Sequence, residues 1–228
     1  MIVRYTPYDG NLEAIRTNQI LRLTNSTTNQ VSNGAAPASN TTLYPRPTTV
    51  SDYMLFDGNK CIRYLDGSPS ADYWRTSDPY SVEMEVFLNS GSNKYIATNG
   101  EGFSQGYGEW SVIQNATDVV LTSSSDNNGN QFSQVLIPSY STGRWYKISF
   151  MFYTSGSTYK CRGYLNSIKM FDIECQQPYN TANGVIFGGD CAWDSGLVGS
   201  QNRKWSGRLR NITVGRSKFW PNATYKYP

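Results

Sequence analysis

Beyond residue 50 the chain is a succession of short apolar runs separated by clusters of Gly, Asn, Asp, Ser and Pro, and this rhythm limits the fold more than any other feature. None of the runs sustains the 3.6-residue period over the ten or more residues that a core-facing helix needs. The expected strands are YMLFD, CIRYLD, YSVEMEVFLN, KYIATN, EWSVIQN, DVVLTSS, QFSQVLI, WYKISFMFYT, TYKCRGYLN, IKMFDIE, GVIFGG and GRLRNITVG. Their even spacing belongs to an all-β, two-sheet antiparallel sandwich rather than to βαβ units. Alternation is clearest where Ile148, Phe150 and Phe152 oppose Lys147, Ser149, Met151 and Tyr153, the mark of a strand with one buried face. In SDNNGNQ, Asn128-Gly129 adopts positive φ easily and fits a type I′ hairpin turn. No segment repeats along the chain, which argues against propellers and solenoids.

Ahead of this region, residues 25–49 (NSTTNQVSNGAAPASNTTLYPRPTT) are small, polar and interrupted by Pro37, Pro45 and Pro47, and read as loop or linker. Leu12 to Leu23 (LEAIRTNQILRL) fits a short amphipathic helix or a strand pair, and its periodicity does not separate the two. The expected organisation is an N-terminal arm and linker over residues 1–48, then one sandwich domain over 49–228. A length of 228 residues suits one domain of this class with a sizeable core.

Charged residues make up 16% of the chain, against a usual ~25%, so Ser, Thr, Asn, Gly and Tyr dominate the polar surface. Such a surface suits an extracellular or virion protein. The net charge is +3, carried by scattered residues such as Arg16, Lys60, Lys94, Lys147 and Arg203 without a basic tract, so no nucleic-acid partner is expected. No apolar run approaches the ~18 residues of a membrane span. The opening MIVRYTPYDG has neither the basic nor the apolar region of a secretory signal.

Four cysteines, Cys61, Cys161, Cys175 and Cys191, lack the close spacing of a zinc or redox motif. If YKCRGYL and KMFDIEC form a hairpin closing at Asn166-Ser167, Cys161 falls opposite Asp172. Cys175 is then on the other face, out of disulfide reach unless a bulge intervenes, and buried free thiols are expected. Sequons at Asn25, Asn40, Asn115, Asn211 and Asn222 are about as many as this composition produces by chance.

Three segments, taken in order, resemble the laminin-G-like branch of the concanavalin A-like lectin/glucanase superfamily, over about residues 50–222. YMLFDGNKCIRYLD is similar to its opening strand, turn and strand. GRWYKISFMFYTSGSTYKCRGYLNSIKMFDIE resembles the Trp-centred strand and following hairpin, with Tyr164-Leu165-Asn166-Ser167 at the tip. GVIFGGDCAWDSG and WSGRLRNITVGRSKFW resemble the Gly-Gly strand and the closing strand, in which the adjacency of Asn211 and Ile212 breaks alternation as a bulge would. The resemblance implies a jelly roll, the fold found in phage and viral structural proteins as well as in lectins. Lys60, Ser167 and Asn211 stand where the family usually has an acidic residue, a glycine and an aspartate, and these departures argue against an inherited metal site.

With no histidine in the chain, Ser-His-Asp and Cys-His nucleophile systems and histidine-ligated metals are excluded. One carboxylate pair remains: Glu83 and Glu85, on the same face of one strand, at a spacing compatible with glycosidase geometry. The glucanase relatives carry a third acid at the position of Phe87. A solvated outer sheet face accounts for the two glutamates, and no catalytic residue is assigned. The resemblance implies calcium as the candidate ion, the family's usual one, held at a sandwich rim by Asp carboxylates and backbone carbonyls because a hard cation takes many oxygen ligands. Asp190 and Asp194 in GGDCAWDSG are its candidate ligands, with Asp126, Asn128 and Asn130 a second oxygen-rich loop. A sugar needs an aromatic face for its C–H surface and amides or carboxylates for its hydroxyls. Tyr107, in the loop with Glu101 and Gln105, together with Trp193, Asn202 and Trp205, are the candidate ligand-binding residues.

The function expected from these features is that of a non-enzymatic viral or bacteriophage structural protein, a capsid decoration or fibre/adhesin subunit. Its arm would hold capsid or tail proteins, while its lectin-like domain would face outward to surface glycans, on a virion assembled in the host cytoplasm. The alternatives are a secreted, extracellular carbohydrate-binding module and a glucanase-like hydrolase. Trp220, Tyr225 and Tyr227 are candidate oligomer contacts.

Overall fold

A computed structural model of the chain describes residues 19–30, 36–37, 46–65, 79–100, 108–124, 131–177, 184–189 and 204–215. Among these residues there is no helix, and so none long and apolar enough to cross a membrane. The described residues form fifteen strands: β1 (Gln19–Leu23), β2 (Ala36–Pro37), β3 (Thr48–Val50), β4 (Tyr53–Asp57), β5 (Ile62–Leu65), β6 (Tyr80–Leu88), β7 (Lys94–Gly100), β8 (Gly108–Gln114), β9 (Val119–Ser124), β10 (Gln131–Ile137), β11 (Arg144–Ser155), β12 (Thr158–Leu165), β13 (Ile168–Glu174), β14 (Val185–Phe187) and β15 (Ser206–Gly215). They form two antiparallel sheets. The first runs β13-β12-β11-β6-β15-β4-β3, with β1 also paired to β15, and the second runs β10-β9-β8-β7-β14-β5-β2.

One apolar cluster fills the space between the sheets, and the alternation of each strand supplies it. On β6 it takes Tyr80, Val82, Met84, Val86 and Leu88, on β11 Ile148, Phe150 and Phe152, and on the opposing sheet Trp110, Val112, Val119, Leu121, Val185 and Phe187. Burial of such side chains contributes roughly 1.5–3 kcal/mol each, which makes this cluster the main source of stability. Each expected strand is present, to within a residue or two at its ends. The strands flanking Asn128-Gly129 pair as a hairpin, Gln131 opposite Ser124. At the tip of the next one, Asn166 and Ser167 have φ of 47° and 70°, the two positive values of a type I′ turn.

Three expectations are revised. Leu21 and Leu23 are wholly buried in the core, and Ala36 and Pro37 pair with Leu65 and Tyr64. The segment expected to be an arm therefore lays a strand on each sheet, the first because Leu21 and Leu23 alternate inward. Within the β12–β13 hairpin, a bulge between Gly163 and Tyr164 shifts the register, so Cys161 pairs with Ile173 and Asp172 with Arg162. The bulge brings Cys175 to the face of Cys161, yet both thiols are free. Burial pushes the Cys161 thiol well above its ordinary value and that of Cys175 up to about 12, which leaves both unreactive near neutral pH. Cys61, by contrast, is in a disulfide.

The closing strand β15 contains the irregularity foreseen at Asn211. That residue has φ of 51°, and the register with β6 shifts between Arg210 and Thr213. The kink marks a change of neighbour. Ser206 to Leu209 pair with β4, while Ile212 to Gly215 pair with β1. The Asn211 N–H, freed from the β6 ladder, donates to the Thr24 carbonyl at 2.8 Å.

Candidate functional site

Of the residues proposed for ligand binding, Tyr107, Trp193 and Asn202 lie outside the described residues, as do Asp190 and Asp194 and the oxygen-rich loop at Asp126, Asn128 and Asn130. Glu101, Gln105, Trp220, Tyr225 and Tyr227 lie outside them too. Among the described residues, no three Cys, Asp or Glu side chains come together in a group that could hold a metal ion.

Trp205 is described, and it does not belong to an open site. Its side chain is fully buried, lies 5.8 Å from the Phe56 ring, and donates its indole N–H to Gln114 Oε1 at 2.7 Å. The polar run before it, SQNRK, suggests a rim, but the residue itself begins the inward-facing series of the closing strand. Gln114 is fixed from its other end, where Nε2 donates to the Asn89 carbonyl at 2.6 Å and to Tyr140 Oη at 2.7 Å. Trp205 is thus a core residue anchored by a buried amide.

Glu83 and Glu85 point outward from β6, as their alternation requires. Each is held by a cation rather than left solvated. Glu83 Oε1 lies 2.9 Å from Lys147 Nζ. Glu85 accepts from Arg210 Nε through one oxygen at 2.7 Å and from Asn211 Nδ2 through the other at 2.8 Å. Burial pushes the Glu83 carboxyl above its ordinary value, with Lys147 pulling the other way. Both carboxylates are committed to cross-strand pairs, and an acid and a base acting on one bond across a substrate would have to break them.

The same outer face carries a feature that the sequence reading missed. Register aligns Trp145 with Phe87 and Phe87 with Arg208 across β11, β6 and β15, and Arg208 with Leu55 on β4. The Arg208 guanidinium lies 4.3 Å from the centre of the Phe87 ring and 4.8 Å from that of Tyr53. Arg210 lies 4.2 Å over Trp145, whose ring is 5.5 Å from Phe87 and 6.2 Å from Tyr53. The signal available in the sequence was the alternation in GRLRNITVG, which puts Arg208 and Arg210 on one face, but their aromatic partners come from distant strands.

Further along that face, Arg162 and Asp172 pair at 2.6 Å. Tyr153 Oη donates to the other Asp172 oxygen at 3.0 Å and accepts from Arg162 at 2.8 Å. Beside them Tyr153 packs with Met151 and Tyr164 in a small buried cluster.

No protein-family model and no curated protein matches the sequence. Solved structures do match it. The receptor-binding domain of botulinum neurotoxin D shares 14% identity at a TM-score of 0.64, covering 90% of this chain and 51% of the other. The binding domain of Paraclostridial Mosquitocidal Protein 1 shares 11% at 0.63, covering 89% and 49%. A botulinum neurotoxin type C structure, described in connection with cell entry dependent upon two ganglioside molecules, shares 12% at 0.59, covering 91% and 50%. The chain therefore spans about half the length of the structures it matches, and at these identities what it shares with them is the all-β, two-sheet antiparallel fold.

Proposed function

We propose that this chain is a non-enzymatic recognition module that binds glycans and is displayed on the outside of a particle or cell. The observation that carries this reading is the match of about nine-tenths of the chain to a toxin receptor-binding domain, to the binding domain of a mosquitocidal protein and to a neurotoxin whose cell entry depends on two ganglioside molecules. The chemistry of the described residues agrees with it, because Glu83 and Glu85 are held in cross-strand pairs. The disulfide at Cys61 suits the oxidising surroundings of secreted proteins and virion surfaces. In its finer form the proposal is a virion structural subunit, a capsid decoration or fibre/adhesin protein bound to capsid or tail proteins. Ligand binding by Tyr107, Trp193 and Asn202, which stand on separate loops, and calcium at Asp190 and Asp194 belong to the same proposal.

A glycan array probed with the whole chain tests the main reading, with binding to at least one glycan class expected and silence across the array sinking it. Turnover of a glucan that is lost in Glu83→Gln would replace it with the hydrolase. Purification from the native source tests the finer form, where recovery with a capsid or tail particle is expected and recovery only as free protein would refute it. A melting temperature raised by calcium and restored by chelator is expected if Asp190 and Asp194 hold the ion.

A further inference from the structure

Among the described residues, the outer face of the β11-β6-β15-β4 sheet pairs Glu83 and Glu85 each with a cation, and Arg208 has no such partner. Lys147 takes Glu83, and Arg210 takes Glu85. The second oxygen of Glu85 accepts from Asn211, and Glu85 is turned to these two partners rather than to Arg208. Arg208 stands opposite Phe87 in the register, is partly exposed, and stacks on the rings of Phe87 and Tyr53. No carboxylate and no hydrogen-bond acceptor among the described residues engages its guanidinium.

Ring contacts of this kind satisfy part of the positive charge and restrict the side chain, but they accept none of its five N–H donors. A guanidinium held against aromatic rings with its donor edge unused is preorganised for a two-oxygen anion, which it can take through two parallel hydrogen bonds. Around it, Tyr53, Phe87 and Trp145 provide apolar and aromatic surface across four adjacent strands, a span of roughly 14 Å at ~4.8 Å per strand. Such surface meets the C–H face of a sugar ring, while the anion sets its orientation.

We propose that this patch, centred on Arg208 and flanked by Tyr53, Phe87 and Trp145, is a binding site for an acidic sugar residue, carboxylated or sulfated. The assignment rests on the glycan-binding reading above and gives it a ligand class and a place on the sheet face, away from the loops first considered. Arg210 and Glu85 act as positioning residues here. Their pair holds Arg210 over Trp145 and keeps Glu85 from neutralising Arg208.

The test is a surface-binding panel in which each oligosaccharide is present in matched forms, neutral, carrying a terminal carboxylated sugar, and carrying a sulfate. The whole chain is expected to bind one acidic form roughly tenfold or more tightly than its neutral partner, as a charged hydrogen-bonded pair allows. The two acidic arms decide which anion is preferred. Arg208→Gln should abolish the preference while keeping the near-ultraviolet circular dichroism of the native sandwich. Arg208→Lys should retain only part of it, because an ammonium cannot form the fork. Tyr53→Ala, near the edge of the sheet, is a second variant expected to weaken the acidic form selectively. An undiminished preference in Arg208→Gln, a wild type that binds neutral forms best, or competition by an acidic peptide as strong as by the sugar would each overturn the site and leave glycan binding standing. Absence of binding to every member would overturn both.

Discussion

Trp205 shows how one side chain can look functional in the sequence and be structural in the fold. Its N–H bond to Gln114 Oε1 is buried, and Gln114 is locked by two further bonds, so removing the indole nitrogen leaves an acceptor without a donor. Trp205→Phe is expected to lower unfolding stability by about 1–3 kcal/mol without changing ligand binding, as chemical denaturation and the glycan panel would show. A Trp205→Phe protein of native stability would mean that the buried amide finds another partner. Asp172 makes a second case, in which pH is the variable. Burial alone would raise its carboxyl, but hydrogen bonds from Arg162 and Tyr153 outweigh that and hold it below the usual value. Because the folded carboxyl ionises below the unfolded value of ~3.9, its stabilisation is complete above that value and is lost as pH falls through the folded one. Asp172→Asn should therefore cost on the order of 2 kcal/mol at pH 7, with the gap in melting temperature narrowing steadily as pH falls below the unfolded value. A gap that stays constant as pH falls would assign the loss to packing instead of charge.

At the scale of strands, what the sequence made legible followed from period and turn chemistry. The two-residue alternation of Ile148, Phe150 and Phe152 is strong enough to define β11, and Asn166-Ser167 places positive φ where a hairpin needs it. Even the bulge at Asn211 could be read, because Leu209 and Ile212 both need the core while an odd number of steps separates them. Two devices could not be read. The bulge beside Gly163 leaves no local trace, and one residue of register decides which face Cys175 takes. The strand β1 is surrounded by residues that look like linker, and only its partner β15 shows why Leu21 and Leu23 alternate. Of the candidate site, the loop residues were chosen for composition, whereas the aromatic and arginine patch exists only after four strands are set in register. For β1 the consequence is measurable. Deleting residues 1–24 removes Leu21 and Leu23 from the core and the Thr24 carbonyl from the Asn211 N–H. It should cost at least about 3 kcal/mol at roughly 1.5–3 kcal/mol per buried leucine. A truncated protein melting with the full chain would restore the picture of a dispensable arm.

For the whole molecule, the decisive fact is that a single apolar cluster joins both sheets and reaches from Leu21 near the start to Val214 in the closing strand. Strand β15 lies between β6 and β4 and also carries β1, so the last described strand holds the first in place, and β15 cannot leave without opening the sheet. The aromatic packing is continuous as well, since Trp110 lies 4.9 Å from Phe150, and Phe150 6.2 Å from Phe152. An arrangement closed in this way should unfold as one unit, even though the structures that resemble it are about twice as long. The expected result is a single thermal or denaturant transition in which near- and far-ultraviolet circular dichroism coincide, with no earlier step for the N-terminal strands. A separate early transition, abolished in the protein lacking residues 1–24, would instead show that β1 is docked onto a sandwich complete without it.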